Sequence, residues 1–388
     1  MPADDLTLSE LRAELGDAVV TDPVALDAVR ADQSGHMSPG APLALVRVES
    51  IAQVQATMRW AAAHGIPVVP RGAGTGLAGG AIGSVGEIVL STERMTRVLE
   101  VSVDDELAVV EPGVLNGDLN ARVAAHGLWF APDPASRAIS TIGGNIATNA
   151  GGLLCAKYGV TREAVLGLKV VLANGRLIEL GHRTVKGVTG YDLTALMIGS
   201  EGTLGVIVEA TVRLRPVPVG GDATVTAGFA SAQDAARAAS AVVASGVQPA
   251  ILELLDARSL AAIRAHLGVD LGDAGGMLLV RTDGPGAAAS ADAVGAVLRA
   301  NGGDVRVAAD RDEAERLFEV RRAFHPSLAA LGTVLIEDVA VPRSALAGMF
   351  AAIERIEREY GVEIPTVAHA GDGNLHPNFV VPGPADAG

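Results

Sequence analysis

Two runs of glycine constrain this chain more than any other feature. The first is Arg71-Gly-Ala-Gly-Thr-Gly-Leu-Ala-Gly-Gly80, and the second fills the end of Ser140-Thr-Ile-Gly-Gly-Asn-Ile-Ala-Thr-Asn-Ala-Gly-Gly152. Glycine is abnormally frequent, at 47 of 388 residues, and its excess is clustered. Glycine lets backbone approach a ligand closely and adopt positive φ, and successive N–H groups in such a loop form a nest for an anion. Gly74-Thr-Gly-Leu-Ala-Gly79 spells GxGxxG, but a Rossmann reading needs a helix directly after the loop. Here Gly80, Gly83 and Gly86 follow, and then a strand-like EIVLS, so no Rossmann unit is expected. Arg71 and Thr75 add a charge and a hydroxyl to a loop suited to a phosphate, although a simple glycine-rich turn reads the same way. The second run again combines glycine with Thr and Asn. Two such loops point to a large dinucleotide held along both edges.

The surrounding pattern is mixed helix and strand. Leu6, Leu8, Leu11 and Leu15 recur at helical spacing, and a helix is predicted from Ser50 to His64 with Gly65 as its stop. Strands are predicted at LALVRV, PVVP, EIVLS, RVLEVSV and LAVVEPG, and a helix over Asn116–Gly127. VLGLKVVLANGRLIEL reads as a hairpin turning at Asn174-Gly175, the favoured type I′ pair. Pro216-Val-Pro-Val-Gly-Gly221 is the best linker. Beyond it, TVTAGFA, ILELLD and MLLVRTDG alternate with Ala-rich helices from Ala232 and Ala289, the rhythm of an α+β domain with an antiparallel sheet. A last helix is predicted from Arg343 to Tyr360.

Length suits two or three domains, and 49% apolar residues suffice for a sizeable core. With 45 acids against 30 bases the formal charge is −15, which argues against a nucleic acid or an anionic membrane as main partner. No run of 18 apolar residues is present, so no membrane span is expected, and the acidic start MPADDL does not read as a signal peptide. The single cysteine, Cys155, excludes an intramolecular disulfide or a Cys-based metal cluster within this sequence. A cytoplasmic location is expected; Cys155 reads as a buried, inert thiol.

His369 and His376 bracket Ala-Gly-Asp-Gly-Asn-Leu. Gly371 and Gly373 argue for a strand–turn, which can bring both imidazoles together. Without a third ligand this is a weak metal signal, and two half-buried histidines remain the alternative.

Four blocks carry a resemblance: VVPRGAGTGLAGG; APDPASRAISTIGGNIATNAGG with KYG after it; KGVTGYDLTALMIGSEGTLGVI; and HAGDGNLH. Their order and spacing resemble the FAD-linked oxidases of the vanillyl-alcohol-oxidase and p-cresol-methylhydroxylase type, in the D-2-hydroxyacid dehydrogenase branch. The resemblance implies an α+β architecture: a helical segment over 1–40, a PCMH-type FAD-binding domain of two subdomains over 41–217, and a cap domain with an antiparallel sheet over 218–388. By position, Arg71, Gly72, Gly74, Thr75 and Gly76 would hold the pyrophosphate. Pro132, Asp133, Pro134, Ser136, Thr141, Gly143, Gly144, Asn145, Thr148 and Gly152 would line the flavin and its ribityl chain. Glu201, Gly202 and Ile207 would lie near the adenine or ribityl side. Covalent members carry a His in the first loop where this chain has Gly, Ala, Gly and Thr, which implies non-covalent FAD.

The resemblance also makes His369 and His376 ligands of a divalent ion, Zn²⁺ or Mn²⁺. The ion would bind the hydroxyl and carboxylate of a small 2-hydroxy acid, with Asn378 reaching the substrate and Arg321 pairing the carboxylate. Arg316 and Arg322 compete with Arg321, and His325 stands one helical turn past it. Glu337 and Asp338 read as structural. Where D-2-hydroxyglutarate enzymes have a lysine, Ile336 stands here, which favours glycolate or lactate. Family members add a Glu-His-Gly segment with a third ligand and a base; these 388 residues contain none, so truncation or lost activity is an expectation, with His36 and His325 as substitute bases. Electrons would pass to a partner subunit, a quinone or a cytochrome, and a homo-oligomer is expected. The competing readings are an alkyl-glycerone-phosphate-synthase-like flavoprotein without net redox chemistry, and an inactive flavin-binding scaffold subunit.

Overall fold

The structure, a computed structural model, describes the backbone of residues 3–381 and the side chains of residues 8–381. Leu6 and the residues after Val381 therefore lie outside the described side chains. The chain divides into two compact units, Met1–Gly152 with Gly159–Val217, and Leu153–Tyr158 with Pro218–Gly388.

In the first unit, Ser50 starts the helix Ile51–His64 by accepting the Gln53 N–H at 3.4 Å, and Gly65, at φ 66°, ends it in the left-handed region. The helix buries Val54, Met58, Trp60 and Ala61 against Val46, Ile88 and Leu90. Those last residues belong to a four-stranded sheet ordered Val19–Val20, Ala44–Arg47, Ile88–Ser91, Val68–Arg71. Its last three strands are parallel, and Ile88–Ser91 in the middle, apolar except for Ser91, is buried on both faces, as a covered parallel strand must be. Leu11 of the helix Ala3–Leu15 is buried in the same core.

A second sheet of this unit is antiparallel, ordered Val98–Ser102, Leu107–Val110, Val206–Arg213, Val165–Val171, Leu177–Gly181. It packs Val110, Leu168, Val170, Ala210 and Val212 against Leu119 and Val123 of the helix Asn116–Ala124, and against Ile142 and Ile146. The hairpin forms, but its turn differs from the one expected. Leu172 pairs with Arg176 and its carbonyl accepts the Gly175 N–H at 2.8 Å, so three residues make the loop. Gly175 takes φ 77°, whereas Asn174 is not among the positive-φ residues that a type I′ turn requires. Gln55 of the long helix donates to the Gly175 carbonyl at 2.9 Å, tying this three-residue turn to the neighbouring core.

The second unit is built on an eight-stranded antiparallel sheet. Its order is Asp304–Val307, Asp222–Phe229, Gly276–Asp283, Ile251–Asp256, Thr366–His369, Asn374–Val381, Thr333–Ile336, with Val339–Ala340 also paired to Asn374–Val381. Alternation along the strands sends Leu252, Leu254, Leu278, Val280 and Leu375 to one face, under the helices Ala232–Ala244, Ala287–Ala300 and Leu346–Tyr360. Leu255, Met277 and Val367 point to the other face, under the helices Ala257–Leu267, Arg311–Arg322 and Phe324–Ala329. Leu153, Leu154 and Tyr158 join that second layer beside Ile251, Leu279 and Phe318. Tyr158 donates to Asp283 at 2.5 Å, and Lys157 pairs with the same carboxylate. The Lys-Tyr pair after the second glycine run thus anchors a short excursion of the chain into this unit.

Candidate functional site

In the first unit, three separate stretches of sequence meet. A Cβ on Gly72 would lie 2.4 Å from the Thr141 hydroxyl oxygen, so the two glycine runs touch where neither has room for a side chain. Gly202, at φ 79°, would place a Cβ 2.9 Å from Pro70, and Gly80 would meet the Glu201 carboxylate at 2.8 Å. The Glu201 N–H donates to the Ala147 carbonyl at 2.9 Å, closing the third stretch onto the second. Ile207 follows on the strand Val206–Arg213, opposite Val170.

The first run is a loop between the strands Val68–Arg71 and Ile88–Ser91, with no helix between them. Gly74 takes φ 68°, and a Cβ there would overlap the Arg71 guanidinium, which folds over its own loop and donates to the Ala81 carbonyl at 2.6 Å. Burial holds Arg71 below the usual arginine range, against the charges of Glu93 and Asp32. The Gly76 carbonyl accepts the Gln33 N–H at 3.1 Å, and Thr75 sits beside it in the loop.

The second run is not wholly a loop. Thr141 accepts the Gly144 N–H at 3.2 Å and starts a six-residue helix, Ile142–Ala147. Gly143 is required there because its Cβ would stand 2.6 Å from the Pro112 side chain. Thr148 returns its hydroxyl to the Gly144 carbonyl at 3.1 Å. Gly152 lies against Asp133: a Cβ would come within 2.2 Å of that residue's carbonyl oxygen. The Pro132 carbonyl accepts from Asn116 at 3.0 Å, and the Pro134 and Ser136 carbonyls close a turn over Arg137–Ser140. Ala73 and Thr141 border a groove of about 810 Å³. Among the described residues, Asp32 Oδ2, Ser140 Oγ and Asn145 Nδ2 are buried without a hydrogen-bond partner. Orphaned polar atoms beside backbone that tolerates no side chain suit the cradle of a polar ligand.

The second unit holds a separate polar cluster on one face of its sheet. Register pairs Glu253 with His369, His369 with Asn374, and Ile336 with Asn378, so these residues share a face with His376. The Asp372-Gly373 turn joins the two strands, and the imidazole centroids of His369 and His376 stand 5.3 Å apart, edge to face. Glu253 is fully buried, with one carboxylate oxygen 2.6 Å from His369 Nδ1 and the other accepting from Arg321 Nε at 2.7 Å. Burial pushes the Glu253 carboxyl up, but His369 and Arg321 outweigh it and hold it below the usual range. Burial likewise pushes His369 down, and Glu253 more than reverses this. His376 lies below the ordinary imidazole value, because of burial first and the charge of His369 second. Asp338 comes within 3.9 Å of His376 Nδ1 and accepts from Asn374 at 2.5 Å.

Arg321 is the arginine of its helix that turns to this cluster; Arg316 is exposed, and Arg322 reaches Glu315 at 3.6 Å. His325 does not share the pocket. Pro326 lacks an N–H for the Arg322 carbonyl, the helix ends at Arg322, and His325 is exposed on the next short helix. His36 is exposed as well. Asn378 is buried and donates to the carbonyls of His376, at 2.7 Å, and Pro365, at 3.4 Å. Cys155 is half-buried rather than fully enclosed. Glu253 was not singled out from the sequence, yet a signal was present: an acid in the middle of the apolar run Ile251-Leu-Glu-Leu-Leu must find partners when the strand is buried.

Residues 42–181 match the family described as FAD binding domain, and residues 222–387 match FAD linked oxidases, C-terminal domain. Glycolate oxidase subunit GlcD of Bacillus subtilis is 41% identical over 341 residues, covering 87% of this chain and 72% of that protein. The chain belongs to the FAD-linked oxidases. D-lactate dehydrogenase of Archaeoglobus fulgidus is 37% identical over 344 residues, covering 87% of this chain and 75% of that one. The solved structure of p-cresol methylhydroxylase with substrate bound shares the fold, with a TM-score of 0.81 at 17% identity over 98% of this chain and 84% of that chain. This FAD-linked oxidase is therefore an FAD-dependent oxidoreductase of PCMH-type fold, and its three converging stretches lie in or just beyond the part matched as FAD-binding. No helix among the described residues is long and apolar enough to cross a membrane.

Proposed function

We propose that this FAD-linked oxidase oxidises a small D-2-hydroxy acid, of the glycolate or D-lactate type, to the 2-oxo acid. The observation that carries the reading is Arg321. It is held by a fully buried carboxylate on the sheet face that also presents two imidazoles, and its two Nη groups have no hydrogen-bond partner among the described residues. A guanidinium held by Nε presents that fork to a carboxylate. The names of its relatives, a glycolate oxidase subunit and a D-lactate dehydrogenase, support the same substrate class.

Oxidation breaks the substrate's Cα–H and O–H bonds and forms a carbonyl. His376, kept toward its neutral form first of all by burial, is the group suited to take the hydroxyl proton. Asn378 supports the strand beneath it through the His376 carbonyl. FAD, when bound, supplies the two-electron acceptor for the hydrogen leaving Cα. The residues that would hold it fit such a group: Gly72, Gly74, Thr75 and Gly76 offer backbone N–H groups with Arg71 across them, and Asn145, Ser140 and Asp32 bring unpartnered polar atoms. Pro132, Asp133, Pro134, Ser136, Thr148, Gly152, Glu201, Gly202 and Ile207 complete the cradle. The first loop has no histidine to bond FAD covalently, which supports non-covalent binding.

A divalent cation finds two of its donors, His369 and His376. Among the described residues no group of three His, Cys, Asp or Glu side chains is placed to hold it. The electrons leave for a partner subunit, a quinone or a cytochrome, and the subunit name of the GlcD relative favours the first. A cytoplasmic location is part of the same reading.

Ile336 sits opposite Asn378 and brings no cation for a second carboxylate. With a redox dye as acceptor, glycolate or D-lactate is expected to exceed D-2-hydroxyglutarate in kcat/KM by about tenfold or more, the worth of one missing charged contact. Preference for the dicarboxylate, or turnover of L-lactate alone, contradicts the reading.

A further inference from the structure

Glu253 interrupts a strand, Ile251–Asp256, whose neighbours Leu252, Leu254 and Leu255 are all buried core. An unpaired carboxylate there would be prohibitively costly, and the structure shows both oxygens engaged by different groups. An ionised carboxylate only accepts hydrogen bonds. The nitrogen 2.6 Å away, His369 Nδ1, must therefore carry a proton. In the neutral ring this leaves the lone pair on Nε2. The other oxygen holds Arg321 by Nε alone.

We propose that Glu253 is a positioning residue: it fixes the Nδ1–H tautomer of His369, leaving Nε2 as an acceptor, and clamps Arg321 with its Nη fork free. The part played in catalysis rests on the 2-hydroxyacid reading above; the tautomer does not. Glu253→Gln isolates the effect. The amide has the carboxylate's shape but only one acceptor. Arg321 is donor-only, so it claims the amide oxygen. The amide NH₂ then faces His369 Nδ1, which becomes an acceptor, and the ring proton moves to Nε2.

The test is ¹⁵N NMR of the histidine rings in the FAD-loaded protein, at a pH above the imidazole titration. The native protein is expected to show His369 as Nδ1–H, and Glu253→Gln as Nε2–H with FAD content unchanged. Flavin reduction by D-lactate or glycolate is expected to slow by about 10- to 100-fold in the variant, the usual scale for losing an orienting partner. An Nε2–H tautomer in the native protein overturns the proposal without any variant, so poor folding of Glu253→Gln does not shield it. An unchanged tautomer in a folded variant overturns it too. If the tautomer switches but no 2-hydroxy acid reduces the native flavin, the substrate reading fails and the tautomer assignment stands.

Discussion

Gly152→Ala is expected to weaken FAD binding by about 5- to 150-fold. The added methyl would sit 2.2 Å from the Asp133 carbonyl oxygen and 2.5 Å from its carbon. These are backbone atoms, which cannot swing aside as the end of a long side chain can. Overpacking of this kind costs about 1–3 kcal/mol, and each 1.4 kcal/mol is about tenfold in affinity. Relief requires moving Asp133 or Gly152, and both belong to the stretches proposed to line the flavin. The measurement is the dissociation constant for FAD, with the flavin-to-protein ratio after purification. Gly127→Ala is the control: it takes φ 68° with nothing within 4 Å of the new Cβ, so it carries backbone strain of about 1–2 kcal/mol but leaves FAD binding unchanged. Equal FAD affinity in Gly152→Ala and the native protein would separate this close contact from the cofactor.

The second large effect is at Arg321. Arg321→Lys keeps a positive charge near Glu253 but loses the planar fork. FAD content is expected to stay intact while kcat/KM for the 2-hydroxy acid falls by about 10- to 150-fold, the loss of a charged hydrogen bond worth about 1.5–3 kcal/mol. Arg321→Ala goes further and leaves the buried Glu253 carboxylate with His369 alone. Breaking a buried pair from one side costs about 3–5 kcal/mol of stability, read from urea unfolding. The Lys variant keeps activity and folding apart: an unchanged kcat/KM there would remove Arg321 from the substrate site even if the Ala variant unfolds.

What could be read from the residues followed period and punctuation. Val/Ile/Leu runs bounded by Gly and Pro gave strands close to their observed limits, and Gly65 and Gly361 end their helices at φ 66°. The strand–turn at Asp372-Gly373 was legible because glycine at both sides of the acid excludes a helix, and the two imidazoles do meet. Other features depended on contacts distant in sequence. The turn at Asn174-Gly175 took its shape beside Gln55, 120 residues away. The short helix Ile142–Ala147 was hidden by two glycines, of which Gly143 is needed because Pro112 packs against it and Gly144 because it lies against the Thr141 hydroxyl. Glu253 became meaningful only once the fold brought His369 and Arg321 to it from 116 and 68 residues away. Conversely, His325 fell out of the site because Pro326 breaks the helix that would have carried it round.

In the proposed reaction a D-2-hydroxy acid delivers its electrons to FAD held by this chain. Anaerobic mixing of the FAD-loaded protein with D-lactate or glycolate, followed through the long-wavelength flavin absorbance, tests it without any electron acceptor. Bleaching is expected, with one 2-oxo acid formed per flavin reduced, and slower bleaching in Arg321→Lys. A flavin that dithionite bleaches but that keeps its full colour with every D-2-hydroxy acid offered would contradict it.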